Sequence, residues 1–117
     1  MYLVYIEAVA RGGNGGSGSQ GLIYFNALRQ RAYGNTSGNV TAYTLDDILN
    51  ERQRELYWEG FRRTDLIRYG YFTSSTYLWP WKGGVIGGTG LSSNYNLYPI
   101  PSTDILTNTN LIQNPGY

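Results

Sequence analysis

The sequence predicts a mainly α protein: an antiparallel helix pair, one long charged helix, then a long irregular tail. Three observations predict it. Apolar residues recur at helical spacing over residues 2–9 and 22–32. A charge-rich stretch with a clear helix start runs from 44 to 69 without proline. After Gly70 the periodicity vanishes, and all 4 Pro fall in that last part.

The first helix rests on Tyr2, Tyr5, Ile6 and Val9, at i, i+3, i+4 and i+7. It should stop at "RGGNGGSGSQG" (11–21), where glycine leaves the backbone too free to stay helical. That run reads equally as a natural loop or an inserted linker. A second helix fits 20–33, with Leu22, Phe25, Leu28 and Ala32 along one face. Two short helices joined by a loop form an antiparallel pair over 1–33. "GNTSGNVTAY" (34–43) is a polar loop whose Asn35 and Asn39 match N-x-S/T, which matters only in a glycosylating host.

The third helix should span 45–69, about 37 Å at ~1.5 Å per residue. Thr44 caps it, and Asp47 completes a capping-box-like pair. Tyr43 and Ile48 occupy the two positions of a hydrophobic staple. Asp46 and Asp47 suit the positive end of the helix dipole. Arg68 and Gly70 mark the other end. Gly60 interrupts the run at a cost of about 1 kcal/mol relative to Ala. A kink, or another backbone packed close against Gly60, would explain it.

The tail, 70–117, lacks regular elements yet carries Trp79, Trp81, Leu91, Leu97, Ile100, Ile105, Leu111 and Ile112. That content implies an ordered, irregular segment wrapped over helices, some of them outside this chain.

Composition excludes several functions. Cys and His are both absent. Disulfides, thiol catalysis, thiolate or imidazole metal sites and a Ser-His-Asp triad are therefore excluded within the 117 residues. Net charge is +1 with no long run of one sign, which gives no basic face for nucleic acid and no polybasic membrane patch. No apolar stretch approaches the ~20 residues of a spanning helix. The chain holds 12 Tyr, 3 Trp and 16 Gly, but Lys82 is the single lysine, a balance common among extracytoplasmic binders of polar ligands.

Nine of the seventeen formal charges lie in 51–68, as Glu51, Arg52, Arg54, Glu55, Glu59, Arg62, Arg63, Asp65 and Arg68. On one helix every acid would have a basic neighbour three or four residues away, each pair worth ~0.2–0.5 kcal/mol if exposed. Arginine in place of lysine favours forked contacts to carboxylates and carbonyls. The expected role is a structural charge network. The catalytic alternative uses Glu55 and Glu59 as a glycosidase pair ~5–9 Å apart. It is weakened because arginines crowd both and favour ionisation of both. If the helix is a packed strut, Trp58→Ala should cost ~3–5 kcal/mol.

In "YLWPW" (77–81), period-two spacing would set Trp79 and Trp81 on one side of an extended segment. Aromatic faces suit the C–H face of a sugar ring. Tyr77, Trp79, Trp81 and Lys82 are thus candidate carbohydrate-binding residues, with Asn94 and Asn96 as further polar contacts. The competing expectation is that these rings fill the space between tail and helices.

Ordered blocks in the chain resemble the SusD/RagB-like outer-membrane nutrient-binding lipoproteins of Bacteroidetes. The blocks are "YLVYIEA", "YFNALRQRAYG", "LDDILNERQRELYWEGFRRTDLIRYG", "YLWPWKGG", "YNLYPIP" and "LIQNPGY". One departure is "NTNL" (108–111), where Thr109 stands in place of the usual proline. The resemblance implies a mainly α fold with a tetratricopeptide-like helix pair, one long charged helix and a loop-rich C-terminal tail. It implies that 1–117 is the C-terminal part of a larger domain whose start lies upstream of "MYLVYIEAVA". The family's implied function is non-catalytic binding of a glycan or other nutrient, with no cofactor and no metal. The implied partner is a SusC-like TonB-dependent transporter at the cell outer membrane. Membrane attachment would come only from a lipid anchor absent from this chain. The matched blocks look architectural, so this segment is expected to be mainly structural. The alternative function is a helical protein-interaction scaffold with no ligand of its own.

Overall fold

A computed structural model describes residues 1–13 and 18–117, and the middle of the Gly-rich 11–21 stretch lies outside the described residues. The described residues are mainly α, with helices α1 (Tyr2–Ala10), α2 (Gly18–Tyr33), α3 (Leu45–Glu55), α4 (Arg62–Arg68) and α5 (Ser102–Thr107). Short 3-10 turns lie at Thr36–Gly38, Lys82–Gly84 and Ser93–Asn96. The chain forms two compact units, Met1–Phe61 and Arg62–Tyr117.

In the first unit α1 packs on α2 and α3. Ile6, Phe25 and Ile48, one from each helix, form the core, with Tyr24, Leu28, Val40, Tyr43 and Leu45 around them. Burying three such side chains contributes roughly 1.5–3 kcal/mol each. On α1 the buried face is Leu3, Ile6 and Glu7, shifted from the expected stripe. Tyr2 is instead exposed and stacks on Tyr24 at 4.3 Å. The ring, being amphipathic, covers apolar surface from outside while its hydroxyl stays wet. Asn26 of α2 clamps the polar loop: its amide donates to the Val40 carbonyl and accepts from the Val40 N–H, both at 2.9 Å.

The start of α3 is as the sequence specifies. The Thr44 hydroxyl accepts from the Asp47 N–H at 3.2 Å, and the Asp47 carboxylate accepts from the Thr44 N–H at 2.8 Å. Tyr43 stacks on Phe25 at 5.3 Å, beside fully buried Ile48.

The expected single helix over 45–69 is two helices, divided at 56–61. Trp58 and Gly60 both have positive φ, 70° and 77°, which no right-handed helix accommodates. Nothing lies within 4 Å of a Cβ placed on Gly60, so its conformation, not close packing, explains the glycine. The expected burial of Trp58 is also corrected: the ring is 88% exposed in this chain. Helix α4 then closes as a Schellman motif on Gly70 (φ 74°), with Gly70 N–H donating to Ile67 and Tyr71 N–H to Leu66.

In the second unit the tail is less irregular than expected, since α5 and two 3-10 turns interrupt it. Gln113 repeats the device of Asn26. Its amide accepts from the Ile100 N–H at 2.8 Å and donates to the Ile100 carbonyl at 2.9 Å. Asn114 donates to the Tyr98 carbonyl at 2.7 Å, and the Tyr117 hydroxyl to that of Leu97 at 2.9 Å. The block "LIQNPGY" therefore satisfies the backbone of "YNLYPIP" through side chains, in place of a ladder.

Candidate functional site

The charged stretch divides between the two units. In the first, Glu51 is 3% exposed. Its carboxylate accepts from Arg29 of α2 at 3.0 Å and from Arg54 at 2.5 Å. Arg29 also donates to the Gly38 carbonyl and lies over the Phe25 and Tyr33 rings. One guanidinium thus ties α2, α3 and the 3-10 turn between them, as its planar fork allows. Glu55 accepts from Arg31 at 2.6 and 2.5 Å. Arg52 is half-buried on α3. Arg29 and Arg31 lie outside the charge-rich stretch, and only contact between helices reveals them.

The proposed acid–base pair is not formed as helical spacing would form it. Glu55 is the last residue of α3 and Glu59 lies in the break, off any helix. Both Glu55 carboxylate oxygens are also taken up by the Arg31 guanidinium.

In the second unit the arginines address aromatics and carbonyls. Buried Asp65 pairs with Arg68 at 2.9 Å. Arg62 donates to the Tyr77 hydroxyl at 2.7 Å. Arg63 donates to the Tyr95 carbonyl at 2.7 Å, and its guanidinium carbon lies 3.9 Å from the Tyr98 ring centroid and 4.9 Å from that of Phe72.

The aromatic loop brings Tyr77, Trp79, Trp81 and Lys82 together, but in unequal roles. Tyr77 is half-buried and stacks on Tyr71, with centroids 4.6 Å apart and planes 5° apart. Trp79 is half-buried, 6.2 Å from Phe72 and 6.4 Å from Tyr77. Trp81 is 66% exposed and has φ of 68°. The chain turns at Pro80–Trp81, so the two indoles do not share one side of an extended segment. Asn96 donates weakly to Thr73 at 3.4 Å.

Lys82 is not on the surface. It is 1% exposed, and its ammonium donates to the carbonyls of Tyr71 at 3.1 Å, Ser74 at 2.5 Å and Tyr77 at 2.7 Å. Three donors meet three acceptors, which leaves no ammonium proton for a ligand. The nitrogen also lies 4.5 Å from the Trp79 ring centroid. Burial pushes its pKa below the ordinary 10.5.

Two open grooves, about 500 and 320 Å³, lie in the first unit, the larger lined by Val9, Leu22, Tyr43 and Leu45 among others. Among the described residues no group of three or more His, Cys, Asp or Glu could hold a metal ion. No helix among them is long and apolar enough to cross a membrane.

The model of the SusD family matches residues 1–117, and the chain belongs to that family. It is 46% identical over 116 residues to the starch-binding protein SusD of Bacteroides thetaiotaomicron, covering 99% of this chain and 20% of that protein. It is 35% identical over 69 residues to a SusD-like protein of Bacteroides ovatus, covering 59% of this chain and 12% of that one. A crystal structure of a SusD superfamily protein from Bacteroides vulgatus matches with a TM-score of 0.66 and 34% identity. That match covers 99% of this chain and 26% of the solved one. The chain therefore spans about a fifth of the starch-binding relative and about a quarter of the solved protein.

Proposed function

We infer that this chain is the C-terminal, mainly structural part of a non-catalytic glycan-binding protein of the bacterial cell surface. The observation that carries the reading is the 46% identity, over 116 residues, to a protein named for starch binding. The full-length protein would be lipid-anchored at the outer membrane and act beside a SusC-like TonB-dependent transporter. Trp81 supports the reading, because an indole 66% exposed leaves a face free for a sugar's C–H groups. The arginine pairing of Glu51 and Glu55 supports a scaffold role for the charged stretch. Titration calorimetry of the full-length protein with a panel of oligosaccharides, malto-oligosaccharides first, tests it. Saturable heat with the sugar recovered intact is expected. No heat with any saccharide, or sugar cleavage lost on Glu55→Gln or Glu59→Gln in a folded protein, would overturn it.

A second reading, a helical interaction scaffold without its own ligand, is favoured by Tyr57 and Trp58. They meet edge-to-face at 5.8 Å while 70% and 88% exposed in this chain, an apolar pair open to contact with another protein surface. A specific protein retained by the full-length molecule and lost on Trp58→Ala, with glycans ignored, would select it.

A further inference from the structure

Residues 71–91 are wound around one buried ammonium. Lys82 collects the carbonyls of Tyr71, Ser74 and Tyr77, spaced over seven residues that belong to no helix. Its own backbone extends the winding: Lys82 N–H donates to Trp79 at 3.1 Å, and Thr89 N–H donates to the Lys82 carbonyl at 3.0 Å. Leu91 N–H donates to the Thr73 carbonyl at 2.9 Å and closes the base. A Cβ on Gly88 would come within 2.5 Å of the Trp79 carbonyl, so the returning strand of the loop lies directly against the turn that precedes Lys82. Trp79 covers the ammonium from one side. Trp81 sits next to it in left-handed backbone, a conformation that is strained for a bulky residue and persists only when its surroundings dictate it.

We propose that Lys82 is the positioning residue of this loop: its ammonium replaces regular secondary structure as the organiser of 71–91 and fixes the turn that presents Trp81. The cage has the chemistry of a cation site, three carbonyl oxygens and an aromatic face, filled by the protein's own side chain. Lys82 then acts on a bound sugar only through Trp81. That last consequence rests on the glycan-binding reading above, while the ordering of the loop does not.

The test uses the full-length protein with Lys82→Met, which keeps the length and removes the charge, and Lys82→Ala, which empties the cage. Hydrogen exchange of the Lys82, Thr89 and Leu91 amides is the readout, with helix content checked by circular dichroism. In Lys82→Met these amides should exchange roughly tenfold faster or more, with helix content unchanged. Ethylammonium should slow exchange again in Lys82→Ala, which has room for it, and not in Lys82→Met. Where the wild type binds an oligosaccharide, Lys82→Met should weaken it by roughly tenfold through lost preorganisation. Wild-type exchange in Lys82→Met overturns the proposal. If the wild type binds no sugar but the exchange result holds, the glycan reading fails and the organiser stands. If Lys82→Met unfolds the whole protein, native-state exchange of the wild type decides. The three amides must open as one unit, and independent opening overturns the proposal.

Discussion

At the scale of single residues, the charges divide into those that hold structure and those that decorate it. Glu51 is buried between two guanidiniums, so its loss strands half-buried Arg29 without that anion. Glu51→Ala should lower stability by about 2 kcal/mol in denaturant unfolding, because the half-buried Arg29 guanidinium loses a charged hydrogen bond that water only partly replaces. Trp58 is the reverse. Being 88% exposed with φ of 70°, Trp58→Gly should leave this chain no less stable, and more stable by about 1 kcal/mol if the backbone strain is relieved. A loss of several kcal/mol in the melting curve would count against the exposed placement. Asp47 gives a pH prediction. Hydrogen bonds from the Thr44 side chain and backbone hold its pKa below the ordinary 3.8. A depressed carboxylate contributes stability that is complete above 3.8 and fades as pH falls through the lower folded value. Asp47→Asn should flatten that part of the pH–stability curve, with a cap-sized loss of about 1 kcal/mol at neutral pH.

At the scale of elements, the sequence was most readable where a local signal is complete in itself. The Thr44–Asp47 box, the Tyr43–Ile48 staple and the Arg68–Gly70 ending all use neighbours within a few residues. The charge pattern predicts one long helix because periodic charges continue through a break they do not cause. Gly60 is a visible warning, but the left-handed turn at Trp58 is not, since no residue type other than glycine, asparagine or aspartate advertises positive φ. The tail was illegible for a different reason. Its order comes from Gln113, Asn114 and Lys82 addressing backbone groups 5–16 residues away, and such side-chain clamps leave no period in the sequence. Gln113→Ala should remove both bonds to Ile100 and loosen the 98–117 segment by about 1–3 kcal/mol of local opening, read as faster exchange of the Ile100 amide.

At the scale of the molecule, the family was legible and the candidate site only partly so. Ordered blocks spread across the chain suffice for kinship, because architectural residues are bound to their neighbours in fixed order. Ligand contacts carry no such constraint: of the four aromatic-loop candidates, Lys82 turned inward and Trp81 outward, a difference that burial alone decides. The most direct test of the account is a nitrogen–proton NMR titration of the full-length protein with malto-oligosaccharides, following the indole N–H signals of Trp58, Trp79 and Trp81 assigned by single Trp→Phe changes. A saturable shift of Trp81 is expected, with the sugar recovered unchanged. A protein whose indoles and calorimetric signal all stay still through the saccharide panel would contradict it.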